Sequence, residues 1–147
     1  NGFLGHSVPE VDALYARNLF TLINRAQQEG LIASCHDISD GGLGVALAES
    51  SFAGGLGARI DLKNIKTEGP LRDDFLLFSE SPSRFVVTVH PQNHRRFESL
   101  FSRTDIFRIG EVLNDRDFIV IGTDGNTLIQ TDFHILKQAW QGPLKGL

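Results

Sequence analysis

His36-Asp37-Ile38-Ser39-Asp40-Gly41-Gly42-Leu43 sets an imidazole, two carboxylates, a hydroxyl and two glycines between a β-like segment and a helix-like one. Upstream, Leu31-Ile32-Ala33-Ser34-Cys35-His36 is short, partly β-branched and follows Gly30. Downstream, Leu43 to Phe52 is rich in Ala and Leu and spans about three turns at ~3.6 residues per turn. The polar residues are therefore predicted on a strand-to-helix turn. The first backbone N–H groups of a helix lack intrahelical partners and the helix dipole favours negative charge, so main chain alone can bind a phosphate or carboxylate there. Gly41 and Gly42 would give such a ligand close approach. The same residues also fit a purely local role, with Ser39 or Asp40 capping the helix and the glycines making a tight turn. Asp37 and Asp40 repel a bare phosphate, so a magnesium nucleotide or a mixed polar ligand suits the turn better.

Working outward, Val11, Leu14, Tyr15, Leu19, Leu22, Ile23 and Ala26 recur at helical spacing and predict an amphipathic helix from about Val11 to Glu29, stopped by Gly30. Gly54 and Gly55 read as the stop of the helix that begins near Gly42. Ala58 to Leu62 alternates as a strand, and Pro70 to Phe78 reads as a short helix turning Leu71, Phe75 and Phe78 inward. Phe85 to His90 is a near-continuous apolar run, expected of a central strand buried on both faces. Pro91 opens a helix carrying Phe97, Leu100 and Phe101. Ile106 to Leu113 and Phe118 to Gly122 follow as strands, with Asp124-Gly125 turning the second into Thr127 to Gln130. Asp132 then caps a closing helix through Trp140. This order predicts an α+β fold, a three-layer α/β/α sandwich around a mixed sheet with a hairpin near its edge.

Composition narrows the function classes. With 147 residues and 41% hydrophobic content the chain suits one compact domain. Residues 11–147 are read as that domain and residues 1–10 as a linker or terminal remnant. Fourteen Lys and Arg against 18 Asp and Glu give a net charge of −4, and His94-Arg95-Arg96 is the only tight basic cluster, so nucleic-acid binding is not expected. No apolar run approaches the ~20 residues of a membrane helix. The one cysteine, Cys35, cannot pair internally and is expected as a buried, inert thiol in a reducing, cytoplasmic setting. His90 and His94 stand four apart, but Pro91 breaks the helix between them and no metal pair is expected. His6 and His134 read as surface residues.

A second segment with chemistry is the loop Ser79 to Arg84. Glu80 and Arg84 flank a Pro-containing turn just before the apolar strand, either as a structural ion pair or with Arg84 anchoring an anion while Glu80 orients a donor.

The segment Glu29 to Ser50, with HDISDGGLGVALAES at its centre, resembles the C-terminal domain of the aminoimidazole ribonucleotide synthetase superfamily. A second block, Leu77-Phe78-Ser79-Glu80-Ser81-Pro82-Ser83-Arg84-Phe85-Val86-Val87-Thr88-Val89, and the ending Ala139-Trp140-Gln141-Gly142-Pro143-Leu144 are similar to the synthetase subunit of phosphoribosylformylglycinamidine synthase within that superfamily. The resemblance implies a three-layer, partly ferredoxin-like domain belonging to a larger ATP- and magnesium-dependent amidoligase of purine biosynthesis. It implies as partners a preceding ATP-binding domain, a glutaminase that supplies ammonia, and a ribonucleotide substrate. It also implies that ligand sites form between domains, so that this chain alone is inactive. His36, Asp37, Ser39, Asp40, Gly41, Gly42, Glu80, Ser81 and Arg84 are the candidate ligand- or phosphate-binding residues, and none is assigned a catalytic or metal-binding role. Two other readings stay open: a non-catalytic scaffold, and another superfamily member such as aminoimidazole ribonucleotide synthetase.

Overall fold

The computed structural model describes residues 10–144; the linker expected at the N-terminus and His6 lie outside that range, apart from Glu10. Helix α1 (Ala13–Gln28) begins where Asp12 accepts from the backbone N–H groups of Leu14 and Tyr15, each at 3.0 Å, and ends ahead of Gly30, whose φ is +67°. Strand β1 (Ser34–Asp37) leads through the glycine turn into α2 (Gly42–Gly54). Gly55 closes α2 at φ +67°, returning its N–H to Ser51, as the sequence predicts. Strand β2 (Gly57–Asp61), the short helix α3 (Asp73–Phe78), strand β3 (Phe85–Thr88) and helix α4 (His94–Leu100) follow. The chain finishes with β4 (Gly110–Leu113), β5 (Asp117–Ile121), β6 (Thr127–Asp132) and α5 (Phe133–Gln141). Gly125 at φ +85° and the Asp124 carboxylate, which accepts from Asn126 N–H at 2.9 Å, make the β5–β6 turn. The same Asn126 contacts hold the Asp124 carboxyl below its usual range. Asp132 caps α5 by accepting from His134 N–H at 2.7 Å.

The α+β class with a mixed sheet is as the sequence predicts, and the strands divide into two sheets. One has the order β4-β2-β5-β6, with β2 parallel to β5 and the outer pairs antiparallel; the other is the antiparallel pair β1-β3. Helix α2 sits at the centre, contacting α3, α5, β1, β2 and β3. Leu43, Ala46 and Leu47 of α2 join Ile38, Ile60, Leu76, Leu77, Phe118 and Val120 in the main apolar cluster. A second cluster, Ala26, Leu31, Phe97 and Phe101, lies between α1, α4 and the far face of β1-β3.

The strand at Phe85 and helix α3 differ from expectation. Phe85 to His90 does carry apolar contacts on both faces, with Val86 packed on the main cluster and Val87 and Val89 on the second, but its strand is half of a two-stranded sheet. A continuous apolar run reports which faces are covered and says nothing of how many neighbours pair along the edges. In α3 the buried side chains are Leu76 and Leu77, while Leu71, Phe75 and Phe78 are exposed, the two phenylalanines at 55% each. The helix starts at Asp73 rather than Pro70, where Asp73 reaches the β5–β6 turn and accepts from Thr123 N–H at 3.0 Å and Thr123 Oγ1 at 2.8 Å. That anchor orients so short a helix with its leucines inward.

Candidate functional site

The turn after β1 is fixed at both ends by buried side chains, Ile38 and Leu43, so the polar residues between them project outward. Ile38 N–H donates to Arg84 O at 2.9 Å, extending the β1-β3 pairing to the loop before β3. Gly41 and Gly42 have φ of +80° and +69°, a region L side chains rarely adopt, and Gly42 N–H donates to Ser39 O at 3.0 Å. Gly41 occupies the N-cap position of α2 and no side chain caps the helix. Neither Ser39 nor Asp40 therefore plays the capping role open to it from sequence: two successive left-handed glycines put the cap on a residue without a side chain.

The partner of Gly41 comes from 39 residues away. Glu80 Oε1 accepts from Gly41 N–H at 2.8 Å. A carboxylate at that position is also favoured by the α2 dipole. The ion pair between Glu80 and Arg84 is absent among the described residues; Arg84 instead donates to the carbonyls of Ser79 and, through Nε at 3.1 Å, of Ser81. Burial pushes the Arg84 guanidinium pKa down. Arg84 thus closes the loop on itself, Ser83 turns it at φ +60°, and Glu80 ties it to the glycine turn. Beneath this tie the Gly42 Cα lies so close to the 77–79 backbone that an added Cβ would stand 2.7 Å from the oxygens of both Leu77 and Ser79. Glu80→Ala is expected to cost about 1 kcal/mol, the net value of one hydrogen bond, and Glu80→Gln, which keeps an acceptor oxygen, less. Urea unfolding of both variants measures the difference, and equal losses would show that the carboxylate's bond is not what matters.

His36 lies on β1 at the base of the turn. Its Nε2 is 2.9 Å from Glu49 Oε2 on α2, and its Nδ1 is 3.4 Å from Asp37 Oδ1. Sequence reading missed Glu49, although one signal was available: it is the only charged residue in α2. Cys35, expected buried, is exposed on β1; partial desolvation and the neighbouring Asp37 charge push its thiol pKa up, which disfavours the reactive thiolate.

The structure thus brings His36, Asp37, Ser39, Asp40, Gly41, Gly42 and Glu80 to one turn, with Arg84 at the base of the facing loop and Ser81 exposed on it. Asp40 and the Ser39 and Ser81 hydroxyls have no hydrogen bond among the described residues and face outward, whereas the Gly41 and Gly42 amides are engaged within the chain. Among the described residues no group of three or more His, Cys, Asp or Glu is placed to hold a metal ion, and no helix is long and apolar enough to cross a membrane.

Comparison with known proteins gives the two sequence blocks a context. The phosphoribosylformylglycinamidine synthase subunit PurL of Carboxydothermus hydrogenoformans is 37% identical over 139 residues, which is 93% of this chain and 18% of that protein. The chain accordingly spans about a fifth of the length of this curated relative. Among solved structures, Thermotoga maritima PurL complexed with FGAR superposes with a TM-score of 0.79 at 22% identity, over 92% of this chain and 23% of that one. The same protein complexed with ATP gives a TM-score of 0.73 at 22% identity, over 82% and 21%. These superpositions show a shared fold. The family described as AIR synthase related protein, C-terminal domain, matches residues 1–123, a stretch that holds both blocks and the contact between them, and the chain belongs to that family.

Proposed function

We propose that this chain is the C-terminal domain of the ATP-dependent ligase subunit that converts formylglycinamide ribonucleotide, with ammonia from glutamine, to its amidine in cytoplasmic purine synthesis. The observation that carries this reading is the 37% identity to a phosphoribosylformylglycinamidine synthase subunit over nearly the whole chain. In such a reaction the substrate amide oxygen takes the γ-phosphoryl group of ATP, releasing ADP, and ammonia then displaces phosphate. A domain in this position contributes by orientation and by managing phosphoryl charge. On this reading the turn His36–Gly42 and the loop Glu80–Arg84 form part of a ligand site completed by the preceding ATP-binding domain, and the glutaminase is a partner of the whole subunit. Mg²⁺ arrives with ATP; Asp37 and Asp40 are exposed carboxylates able to face it.

A second reading has a specific observation in its favour. The two glycine amides best placed to bind a ligand anion already donate to Glu80 and Ser39, which favours the turn as a packing and scaffold element. One experiment separates the two: replace the matching C-terminal segment of the Carboxydothermus hydrogenoformans subunit by this chain and follow ATP consumption dependent on formylglycinamide ribonucleotide. The hybrid is expected to turn over and the 147-residue chain alone to be silent. Turnover that survives Asp37→Ala and Asp40→Ala unchanged would favour the scaffold, and a folded hybrid without turnover would sink the proposed function.

A further inference from the structure

We propose that Glu49 is a positioning residue that fixes the tautomer of His36, leaving His36 Nδ1 as the nitrogen that accepts a hydroxyl or amine hydrogen from the ligand. The inference rests on the reading of the turn as a ligand site. Glu49 projects from α2 about two turns beyond its start, and its carboxylate oxygen lies 2.9 Å from His36 Nε2, with both side chains about two-thirds shielded from water at 31% and 28% exposure. A carboxylate oxygen accepts, so Nε2 donates and carries the proton. In the neutral ring Nδ1 is then an acceptor, and it stands 3.4 Å from Asp37 Oδ1, which is another acceptor. Two acceptors side by side, at the rim of an exposed turn, satisfy each other poorly. A ligand donor placed against them relieves the pair: an amine can give one N–H to each acceptor and a sugar hydroxyl its single O–H to Nδ1, where a bare phosphate supplies neither.

The arrangement also gives a role to the one charge in a helix otherwise built from Gly, Ala, Ser, Leu, Val and Phe: Glu49 is the link by which α2 sets the rotation of a ring on β1. Asp37 alone would leave that rotation open, since it is exposed and sits beside His36 on the same strand.

The tautomer is read directly by long-range proton–nitrogen spectra of the intact 147-residue chain at a pH where the imidazole is neutral. His36 is expected as the Nε2–H form in the parent chain, as a mixture in Glu49→Ala, and again as Nε2–H in Glu49→Gln, whose amide oxygen also accepts. In the hybrid subunit described above, Glu49→Ala is expected to raise the KM for the ribonucleotide about tenfold, the worth of one charge-assisted hydrogen bond, with kcat changed far less and Glu49→Gln restoring most of the loss. An Nδ1–H ring in the parent chain, or a tautomer indifferent to Glu49→Ala in a folded variant, overturns the inference; so does an unchanged KM. An inactive parent hybrid would count against the proposed function instead, and the tautomer spectra, which need no turnover, would still decide the role of Glu49.

Discussion

Gly42→Ala is expected to lower the stability of the chain by roughly 2–5 kcal/mol, the sum of about 1–2 for a side chain forced into the left-handed region and about 1–3 for overpacking. The new Cβ would meet the oxygens of Leu77 and Ser79 at 2.7 Å and the Phe78 carbonyl carbon at 2.8 Å. All three are backbone atoms, so relief requires the 77–79 segment to move, and with it the Glu80 bond to Gly41. For a chain of this size the loss corresponds to a Tm lower by about 10 °C. Gly55→Ala is the control: its φ is a similar +67°, but a Cβ there meets nothing within 4 Å, so only the conformational cost of about 1–2 kcal/mol remains. Thermal and urea unfolding of the two variants side by side separates strain from collision. Equal losses would mean that the Ser79–Arg84 loop is not docked on the turn.

Phe118→Ala carries the other large effect, about 3–5 kcal/mol, as for a buried aromatic removed from a packed core. Phe118 is 2% exposed and belongs to the cluster that joins α2 to the four-stranded sheet. Phe75→Ser, at a side chain the sequence assigns to the core, is expected within about 0.5 kcal/mol of the parent, as for surface positions generally, because Phe75 is 55% exposed and lies against Arg72, whose guanidinium carbon is 5.4 Å from the ring centre. A midpoint shift of similar size in both variants would contradict this partition of buried and exposed rings.

The contrast between those two phenylalanines marks what periodicity can and cannot convey. Elements whose limits rest on local chemistry were readable: Asp132 ahead of α5, Gly55 after α2 and Asp124-Gly125 in the hairpin, whereas the α1 stripe holds only in its second half, since Val11 precedes the helix and Leu14 is exposed. In α3 six residues give too little periodicity to orient a helix. Its direction is fixed by Asp73 bonding to Thr123, a contact 50 residues distant that no local pattern announces. The division into two sheets was equally hidden, since pairing partners are chosen by long-range closure and β1 and β3 read alike whether they have one neighbour or two. At the candidate site, the residue types were legible but their joining was not. The glycine turn and the Ser79–Arg84 loop each looked self-contained, with Glu80 either paired to Arg84 or orienting a ligand donor; in the structure Glu80 accepts from the Gly41 amide, and Arg84 serves the loop's carbonyls.

The two apolar clusters share no buried residue and face each other across β1 and β3. The two clusters pack on opposite faces of a ribbon of two strands, and the polar turn lies where one strand of that ribbon leaves for the central helix. A ligand that binds the folded chain there and not the unfolded one adds to the free energy of folding, by an amount that grows with the logarithm of its concentration above Kd. Occupancy of the turn and resistance of the whole chain to unfolding are therefore linked, and a ligand's affinity can be read from the stability it confers.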